Sequence, residues 1–174
     1  MKGYVHIYCG DGKGKTSAAV GLAVRAAGRG LRVLIVRFLK TEDSGEVPAM
    51  RRIPGICVVP CEKSFGFTFQ MSEAQKREAS EYYRKRLSDA CIQALSGQWD
   101  LLILDEILGA VGSGLVPEEQ LTEFLRCRPE SLEVVLTGRN PSARLVELAD
   151  YVSEIRAVKH PFERGVGARE GIEY

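Results

Sequence analysis

Residues 4–27 read YVHIYCGDGKGKTSAAVGLAVRAA. The segment opens with an apolar, β-rich run at residues 4–9 and continues into a glycine-rich turn. From Thr16 onward the apolar residues recur at helical spacing. The residues that carry this spacing are Ala19, Leu22, Ala23 and Ala26. The segment therefore predicts a strand, a loop and a helix, the first unit of an α/β fold.

The loop of this unit is Gly10-Asp11-Gly12-Lys13-Gly14-Lys15-Thr16, which has the composition of a phosphate-binding loop. Glycines let backbone N–H groups turn toward phosphate oxygens, and the helix N-terminus adds a partial positive charge. In this pattern Lys15 reaches the phosphates and the Thr16 hydroxyl ligates Mg²⁺. The usual spacing places the first glycine at position 9, where this chain has Cys9, so the loop is one residue short. Turn chemistry alone can also produce such a segment.

Strand-like and helix-like segments alternate along the rest of the chain. Strands are predicted at residues 33–38, 56–59, 101–104, 132–136 and 151–155. Helices are predicted at residues 72–96, opened by a capping box of Ser72 and Gln75, and at 117–125 and 141–149. Residues 41–48 are predicted to be a loop, and residues 159–174 show no clear period. The pattern predicts one domain, residues 1–174, with a three-layer αβα, P-loop NTPase-like (RecA-like) fold and a mostly parallel sheet of five or six strands.

Composition excludes several classes of function. The chain has 174 residues, 45% of them hydrophobic and 27% charged, with a formal net charge of +1, so no global field attracts nucleic acid or a membrane surface. No apolar run approaches the roughly 20 residues of a membrane span, and we expect a cytoplasmic protein. The five cysteines include no CxxC pair, which predicts reduced thiols and no metal–thiolate site.

Charged residues follow two of the predicted strands. Asp105 and Glu106 directly follow the apolar run at residues 101–104, as in a Walker B strand, whose acidic end holds Mg²⁺. Arg139 follows the strand at 132–136 and could bind a phosphate or a carboxylate, although a surface arginine fits that position equally well. The chain shows no Ser/His/Asp order and no nucleophile elbow, so acyl chemistry has little support.

Three phenylalanines alternate in the predicted loop at residues 61–70, at Phe65, Phe67 and Phe69. A period of two is typical of one face of a buried strand. Gly66 and the polar neighbours of the rings oppose that interpretation. The alternative is an apolar wall for a flat ligand beside the phosphate site.

Taken together, these residues resemble the P-loop type of ATP:corrinoid adenosyltransferase over nearly the whole chain. The segments that carry the resemblance are residues 10–16 with the short loop, 18–19, 25–28, Phe38 with Lys40, 66–68, 105–106, 137–139, 149–150, and 159–162 continuing to 171–174. The resemblance implies transfer of the 5′-deoxyadenosyl group of ATP to Co(I) of a reduced corrinoid, with release of triphosphate and with Mg²⁺ or Mn²⁺. Because Co(I) is itself the nucleophile, the protein needs only to align it with C5′ and to stabilise the leaving triphosphate.

The resemblance also implies roles for individual residues. The ATP-binding residues would be Gly10, Asp11, Gly12, Lys13, Gly14, Lys15, Thr16, Ser17 and Arg139. Thr16, Asp105 and Glu106 would hold the metal ion, and the catalytic residues would be Lys15, Phe67 and Phe69. The two aromatic rings would crowd the lower face of the corrin and so favour reduction of the cobalt. Many members have Trp where this chain has Phe69, which keeps apolar bulk but has no indole N–H.

Further expectations concern partners and covering of the site. The family implies cobalamin, cobinamide or cobyrinic acid a,c-diamide as the corrinoid, an electron-donating flavoprotein as partner, and a homodimer. Some members cover the corrinoid with an N-terminal extension, which we expect this chain to lack. Two alternatives remain open from the residues alone: a P-loop kinase with Glu106 as base, and a RecA-like module acting on nucleic acid, which the balanced charge disfavours.

Overall fold

A single parallel sheet forms the centre of the protein in the computed structural model, which describes residues 2–66 and 70–173. Its strands are β1 (Val5–Cys9), β2 (Val33–Arg37), β3 (Ile56–Val58), β4 (Leu101–Asp105), β5 (Glu133–Thr137) and β6 (Tyr151–Glu154). Within the described residues the order is β3-β2-β4-β5-β1-β6, and every neighbouring pair is parallel. The predicted α/β class is confirmed, and the sheet, predicted as mostly parallel with five or six strands, has six parallel strands in the described part of the chain.

Helices cover both faces of the sheet. They are α1 (Lys15–Ala27), α2 (Glu46–Met50), α3 (Glu73–Leu95), α4 (Ile107–Gly112), α5 (Glu118–Cys127) and α6 (Ala143–Leu148), followed by a 3₁₀ helix at Pro161–Arg164. Apolar residues of α1 and α2 pack on one face, while those of α3, α4, α5 and α6 pack on the other. This is the three-layer arrangement that the alternating pattern predicts.

The central strands are apolar on both sides because both faces are covered. In β2, Val33 and Ile35 point toward α1, whereas Leu34 and Val36 point toward α3, as the period of two requires. All five residues of β4 are buried. The outer strand β6 differs, because each of its four residues is exposed.

Two elements differ from the sequence prediction. Residues 41–48, predicted as a loop, lead into α2, which begins at Glu46 and contains Pro48. Proline is tolerated there because the first N–H groups of a helix have no partner inside it. Val47 and Met50 fix this short helix by burying their side chains. Helix α4 was not predicted, since its six residues include two glycines, which lower helix propensity.

The capping box of α3 is confirmed. Ser72 Oγ accepts the Gln75 backbone N–H at 3.3 Å, and the Gln75 side chain accepts the Ser72 N–H at 2.9 Å. Such a cap contributes about 1 kcal/mol to a helix.

No helix within the described residues has the length and apolar character needed to cross a bilayer.

The parallel direction of the strands determines where a ligand can bind. All carboxyl ends of the strands lie at one edge of the sheet because the strands are parallel. The glycine-rich loop follows β1 at that edge. Asp105 is the last residue of β4, and Glu106 follows it at the same edge. Ligands of open α/β sheets bind at this edge.

Candidate functional site

The glycine-rich loop between β1 and α1 is built on two residues with positive φ. Gly10 has φ 108° and Gly14 has φ 121°, in a region that favours glycine. A Cβ on Gly10 would lie 2.3 Å from the Ile155 carbonyl oxygen, and one on Gly12 would lie 2.7 Å from the Arg156 carbonyl carbon. The loop therefore packs directly on the backbone that follows β6.

Hydrogen bonds secure this contact between the loop and the end of β6. The Gly12 N–H donates to the Ile155 carbonyl at 2.8 Å, and the Ile155 N–H donates to the Cys9 carbonyl at 2.8 Å. The Ala157 N–H donates to the Asp11 carboxylate at 3.0 Å. That bond is the main reason why the pKa of Asp11 lies below its ordinary value. Asp11 thus helps to hold the loop in shape.

Positive side chains converge on the loop. Lys15 lies at the start of α1 and donates from Nζ to the Gly12 carbonyl at 2.8 Å, across the turn. Burial, followed by the nearby charge of Arg139, lowers the pKa of Lys15. Arg139 is carried by the segment after β5, so the two cations follow two neighbouring strands, β1 and β5, at the same edge of the sheet. Their repulsion would be relieved by a bound anion.

The acidic end of β4 lies beside the first turn of α1. Asp105 is only 2% exposed, and its Oδ1 accepts the Thr137 hydroxyl at 2.6 Å and the Thr16 hydroxyl at 3.1 Å. Its Oδ2 lies 2.6 Å from the ammonium of Lys40, which also donates to Thr16 Oγ1 at 2.7 Å. Three strands and one helix thus place these polar groups together.

Glu106 follows Asp105 in the left-handed region, with φ 60°. Its backbone N–H donates to Thr137 Oγ1 at 2.8 Å. The carboxylate lies over α4, where a Cβ on Gly109 would be 2.8 Å from Glu106 Oε1. Burial raises the pKa of Glu106, and the negative charge of Asp105 beside it raises that pKa further.

A cavity of about 590 Å³ opens in front of the loop. Of the predicted ATP-binding residues, all except Gly10 line it: Asp11, Gly12, Lys13, Gly14, Lys15, Thr16, Ser17 and Arg139. Asp105 and Glu106 are not part of this lining, although Asp105 bonds to Thr16. The cavity is of the size that small-molecule sites usually have.

Comparison with known proteins shows the family of this chain. A family model described as "ATP:corrinoid adenosyltransferase BtuR/CobO/CobP" matches residues 1–174. The chain belongs to the ATP:corrinoid adenosyltransferase family. The enzyme is therefore a transferase of the family that adenosylates corrinoids at the expense of ATP.

Curated relatives agree with this assignment of the adenosyltransferase. The corrinoid adenosyltransferase of Escherichia coli is 35% identical over 177 residues, which cover 99% of this chain and 86% of the relative. Corrinoid adenosyltransferase CobA of Salmonella typhimurium is 35% identical over 187 residues, with the same coverage. Among solved structures, the cytoplasmic domain of the Thermomonospora curvata type VII secretion ATPase EccC matches with TM-score 0.53 and 15% identity, covering 88% of this chain and 20% of that one. This last likeness concerns the fold alone and agrees with the predicted P-loop NTPase-like fold.

The adenosyltransferase presents oxygen donors that suit a hard divalent cation. The described residues contain no group of three or more His, Cys, Asp or Glu side chains placed to hold a metal ion. The Thr16 hydroxyl and the Asp105 carboxylate nevertheless lie 3.1 Å apart at the loop, and the Glu106 carboxylate follows in sequence. Mg²⁺ is typically held by one or two protein oxygens, with substrate phosphates and water completing the shell. The donor set therefore fits part of the shell of such an ion, and a bound nucleotide would complete it.

The structure adds residues that sequence reasoning did not place in the site. Helix α2 and the segment before it contribute Ser44, Gly45 and Glu46 to the cavity lining. The segment 159–173 contributes His160, Gly171, Ile172 and Glu173. The two ends of that segment, like Lys40, are quoted in the family resemblance but carried no role there. No local pattern signals these contacts, because each depends on distant chain segments meeting.

The C-terminal segment contacts the loop through one carboxylate. Glu173 Oε1 lies 3.1 Å from Lys13 Nζ. The same carboxylate accepts bonds from the backbone, Nε and Nη2 of Arg169, at 2.8 to 3.1 Å. These bonds, those to Arg169 foremost, lower the pKa of Glu173 to about 2. The Glu173 carboxylate thus forms an ion pair with Lys13, one of the cations of the loop.

Of the three predicted aromatic residues, only Phe65 is within the described residues. Its ring lies 5.6 Å from the ring of Tyr82 and 5.7 Å from that of Tyr83, both on α3. Residues 61–66 form no strand, so the strand interpretation does not apply to Phe65. Phe67 and Phe69 lie outside the described residues, and their roles stay predictions.

Proposed function

We propose that this protein transfers the 5′-deoxyadenosyl group of ATP to the Co(I) centre of a reduced corrinoid and releases triphosphate. In this reaction the cobalt electron pair forms the Co–C5′ bond, and the C5′–O bond breaks toward the triphosphate. Cobalt goes formally from Co(I) to Co(III), and no external oxidant is consumed. The observation that carries the proposal is the cationic cavity at the short loop of a chain in this family.

The charges around the cavity suit a highly anionic leaving group. Lys13, Lys15, Lys40 and Arg139 all line it. Preorganised cations that face the developing charge of a leaving group lower the barrier without further reorganisation. We therefore assign Lys15 and Arg139 to stabilising the departing triphosphate, with Lys13 at its outer end. The backbone N–H groups of residues 10–16 would hold the phosphates, as in other loops of this kind.

We assign Thr16, Asp105 and Glu106 to holding Mg²⁺ or Mn²⁺ together with the nucleotide. When bound, the ion would offset phosphate charge. The protein's own part is to fix the oxygens. Thr137 holds Asp105 Oδ1, and the Glu106 N–H is bonded to the same threonine, so both acidic residues are oriented by one hydroxyl.

We assign Phe67 and Phe69 to the corrinoid. Phe67 and Phe69 would crowd the lower face of the corrin and favour a four-coordinate cobalt, which is easier to reduce. Phe65, two residues before Phe67 in the chain, packs on Tyr82 and Tyr83 of the long helix α3, and this aromatic cluster next to the pair supports the proposal.

The remaining parts of the proposal concern the setting of the enzyme. Residues 1–174 would act as one adenosyltransferase domain in the cytoplasm, as a homodimer, and would receive electrons from a flavoprotein. Cobalamin, cobinamide and cobyrinic acid a,c-diamide are the corrinoids to compare as substrates. Nucleic acid and membranes have no part in the reaction.

An anaerobic assay with chemically reduced cobalamin, ATP and Mg²⁺ tests the proposal. We expect loss of the Co(I) spectrum, a light-sensitive alkylcobalt product and triphosphate in equal amounts. Omission of the corrinoid is the control, and it should abolish triphosphate release. Formation of ADP without an alkylcobalt product would overturn the proposal and favour a kinase that acts on an acceptor hydroxyl.

A further inference from the structure

Lys40 occupies an unusual position for a lysine near a phosphate site. Its ammonium lies between Thr16 Oγ1, at 2.7 Å, and Asp105 Oδ2, at 2.6 Å. These are two of the oxygens assigned above to the metal ion. A protein cation and a divalent cation cannot both bind this pair of oxygens at contact distance, because like charges at that separation repel strongly.

Asp105 needs a cation in the absence of the metal. The carboxylate is almost fully buried, and its Oδ1 is satisfied by the hydroxyls of Thr137 and Thr16. Hydroxyl donors satisfy hydrogen bonds but do not balance a charge, and an unpaired buried charge is costly. Among the described residues, Lys40 is the cation within ion-pair distance of Asp105.

The backbone aims Lys40 at this pair. The Phe38 N–H donates to the Asp105 carbonyl at 2.8 Å, which extends the pairing of β2 with β4 by one residue. Leu39 then adopts φ 52°, which is unfavourable by roughly 1–2 kcal/mol for a residue with a Cβ. Strain of this kind persists only where the surroundings impose it.

The contacts that hold this backbone conformation lie on both sides of Lys40. The buried side chain of Arg37 donates to the Thr41 carbonyl at 2.8 Å and to Glu42 at 2.5 Å. Glu42 also accepts the Cys61 N–H at 2.7 Å, which anchors the segment to the chain that follows β3. The backbone is thus fixed, while the Lys40 side chain, 23% exposed and lining the cavity, keeps a flexible four-carbon stem.

We propose that Lys40 is a resident counter-cation of Thr16 and Asp105, which the divalent ion replaces when it arrives with the nucleotide. The displaced ammonium then turns toward the phosphates across the same cavity. This inference rests on the proposed function, since it takes the metal–nucleotide complex as the ligand. Exchange of a single positive charge for a double one keeps Asp105 neutralised in both states.

The exchange couples metal binding to nucleotide binding. A metal ion alone must displace Lys40 without offering the ammonium a new partner, so its affinity is held low. A nucleotide supplies phosphate oxygens to the displaced ammonium, and the penalty disappears. Because such coupling is reciprocal, the metal must also strengthen nucleotide binding.

Binding of Mn²⁺ to the nucleotide-free protein, followed by electron paramagnetic resonance, tests the inference. We expect Lys40→Met to bind Mn²⁺ at least about tenfold more tightly than the wild type, because the competing charge-assisted bonds are gone. The gain should vanish in Lys40→Met/Asp105→Asn. The matched control is Lys76→Met, which removes an exposed lysine paired with Glu73 on α3 and should leave Mn²⁺ affinity unchanged.

Lys40→Gln is the second variant, since its amide can still donate to Thr16 or Asp105 and so support folding without a charge. It should gain Mn²⁺ affinity as Lys40→Met does. Mn²⁺ affinity within about twofold of wild type in the folded variants would overturn the inference. The titration uses no corrinoid, so it decides on Lys40 even if the wild type forms no alkylcobalt product, a result that would overturn the proposed function instead.

Discussion

The hydroxyl of Thr137 joins the two acidic residues of the site, because it donates to Asp105 Oδ1 at 2.6 Å and accepts the backbone N–H of Glu106 at 2.8 Å. Thr137 is fully buried at the end of β5, next to β4 in the sheet. One side chain therefore sets both the carboxylate of Asp105 and the left-handed backbone of Glu106. This relation makes Thr137 a positioning residue that never needs to touch the nucleotide.

Thr137→Val should lower the free energy of unfolding by about 1–3 kcal/mol, because it leaves the buried Asp105 carboxylate and the part-buried Glu106 N–H without this partner. Chemical denaturation measures the effect. Thr122→Val is the matched control: Thr122 is also fully buried, but among the described residues its hydroxyl bonds only to the Glu119 carbonyl, at 3.1 Å within its own helix. Equal losses of unfolding free energy in the two variants would contradict the role of Thr137 in positioning Asp105 and Glu106.

Lys15→Ala should reduce kcat/KM at least about 100-fold, because it removes a preorganised cation from the developing charge of the triphosphate. The anaerobic spectral assay measures the rate. Lys85→Ala removes an exposed lysine that pairs with Asp89 on α3 and should leave the rate unchanged. Activity of Lys15→Ala within about twofold of wild type would contradict its assignment.

Phe67→Ala should lower turnover more when the corrinoid is supplied as Co(II) with a reductant than when it is supplied as preformed Co(I). The reason is that the ring is assigned to easing reduction, a step that preformed Co(I) bypasses. Phe65→Ala is the control in the same segment, because its ring packs on α3, and it should affect both assays alike. Equal losses in the two assays for Phe67→Ala would reject the role in reduction.

Glu173→Gln should lower the KM for ATP about threefold and leave kcat unchanged. The Glu173 carboxylate lies 3.1 Å from Lys13 Nζ and competes with phosphate for that cation, although exposure keeps the pair weak. Steady-state kinetics with varied ATP measure both constants. Glu163→Gln, in the 3₁₀ helix of the same segment, is the control. A raised KM would mean that Glu173 orients Lys13 for the nucleotide and does not compete with it.

Local sequence patterns predicted most of the secondary structure. The strands at residues 33–38 and 101–104 were found within one residue, because a parallel strand covered on both faces is a continuous apolar run. Ser72 and Gln75 marked the start of α3 because a capping box is a contact between near neighbours. Features that depend on a few adjacent residues can therefore be predicted from the sequence.

The parts that were missed depend on contacts between distant residues. The meeting of Lys40 with Thr16 and Asp105 requires that β2 and β4 be neighbours, and no short pattern states the strand order. Glu173 and Lys13 are separated by 160 residues. Helix α2 was hidden by Pro48, which usually marks a break but is harmless in a first turn.

The packing of the glycine-rich loop on the end of β6 also governs when this loop can take its final shape during synthesis. Asp11 and Ala157, which are bonded across that contact, are 146 residues apart. Strand β1 pairs with β5 and β6, which are made long after it. Chains are made from the N-terminus, so β1 and its loop must wait for residues 133–157. During synthesis the loop therefore reaches its final shape only after β6 and Ala157 have been made.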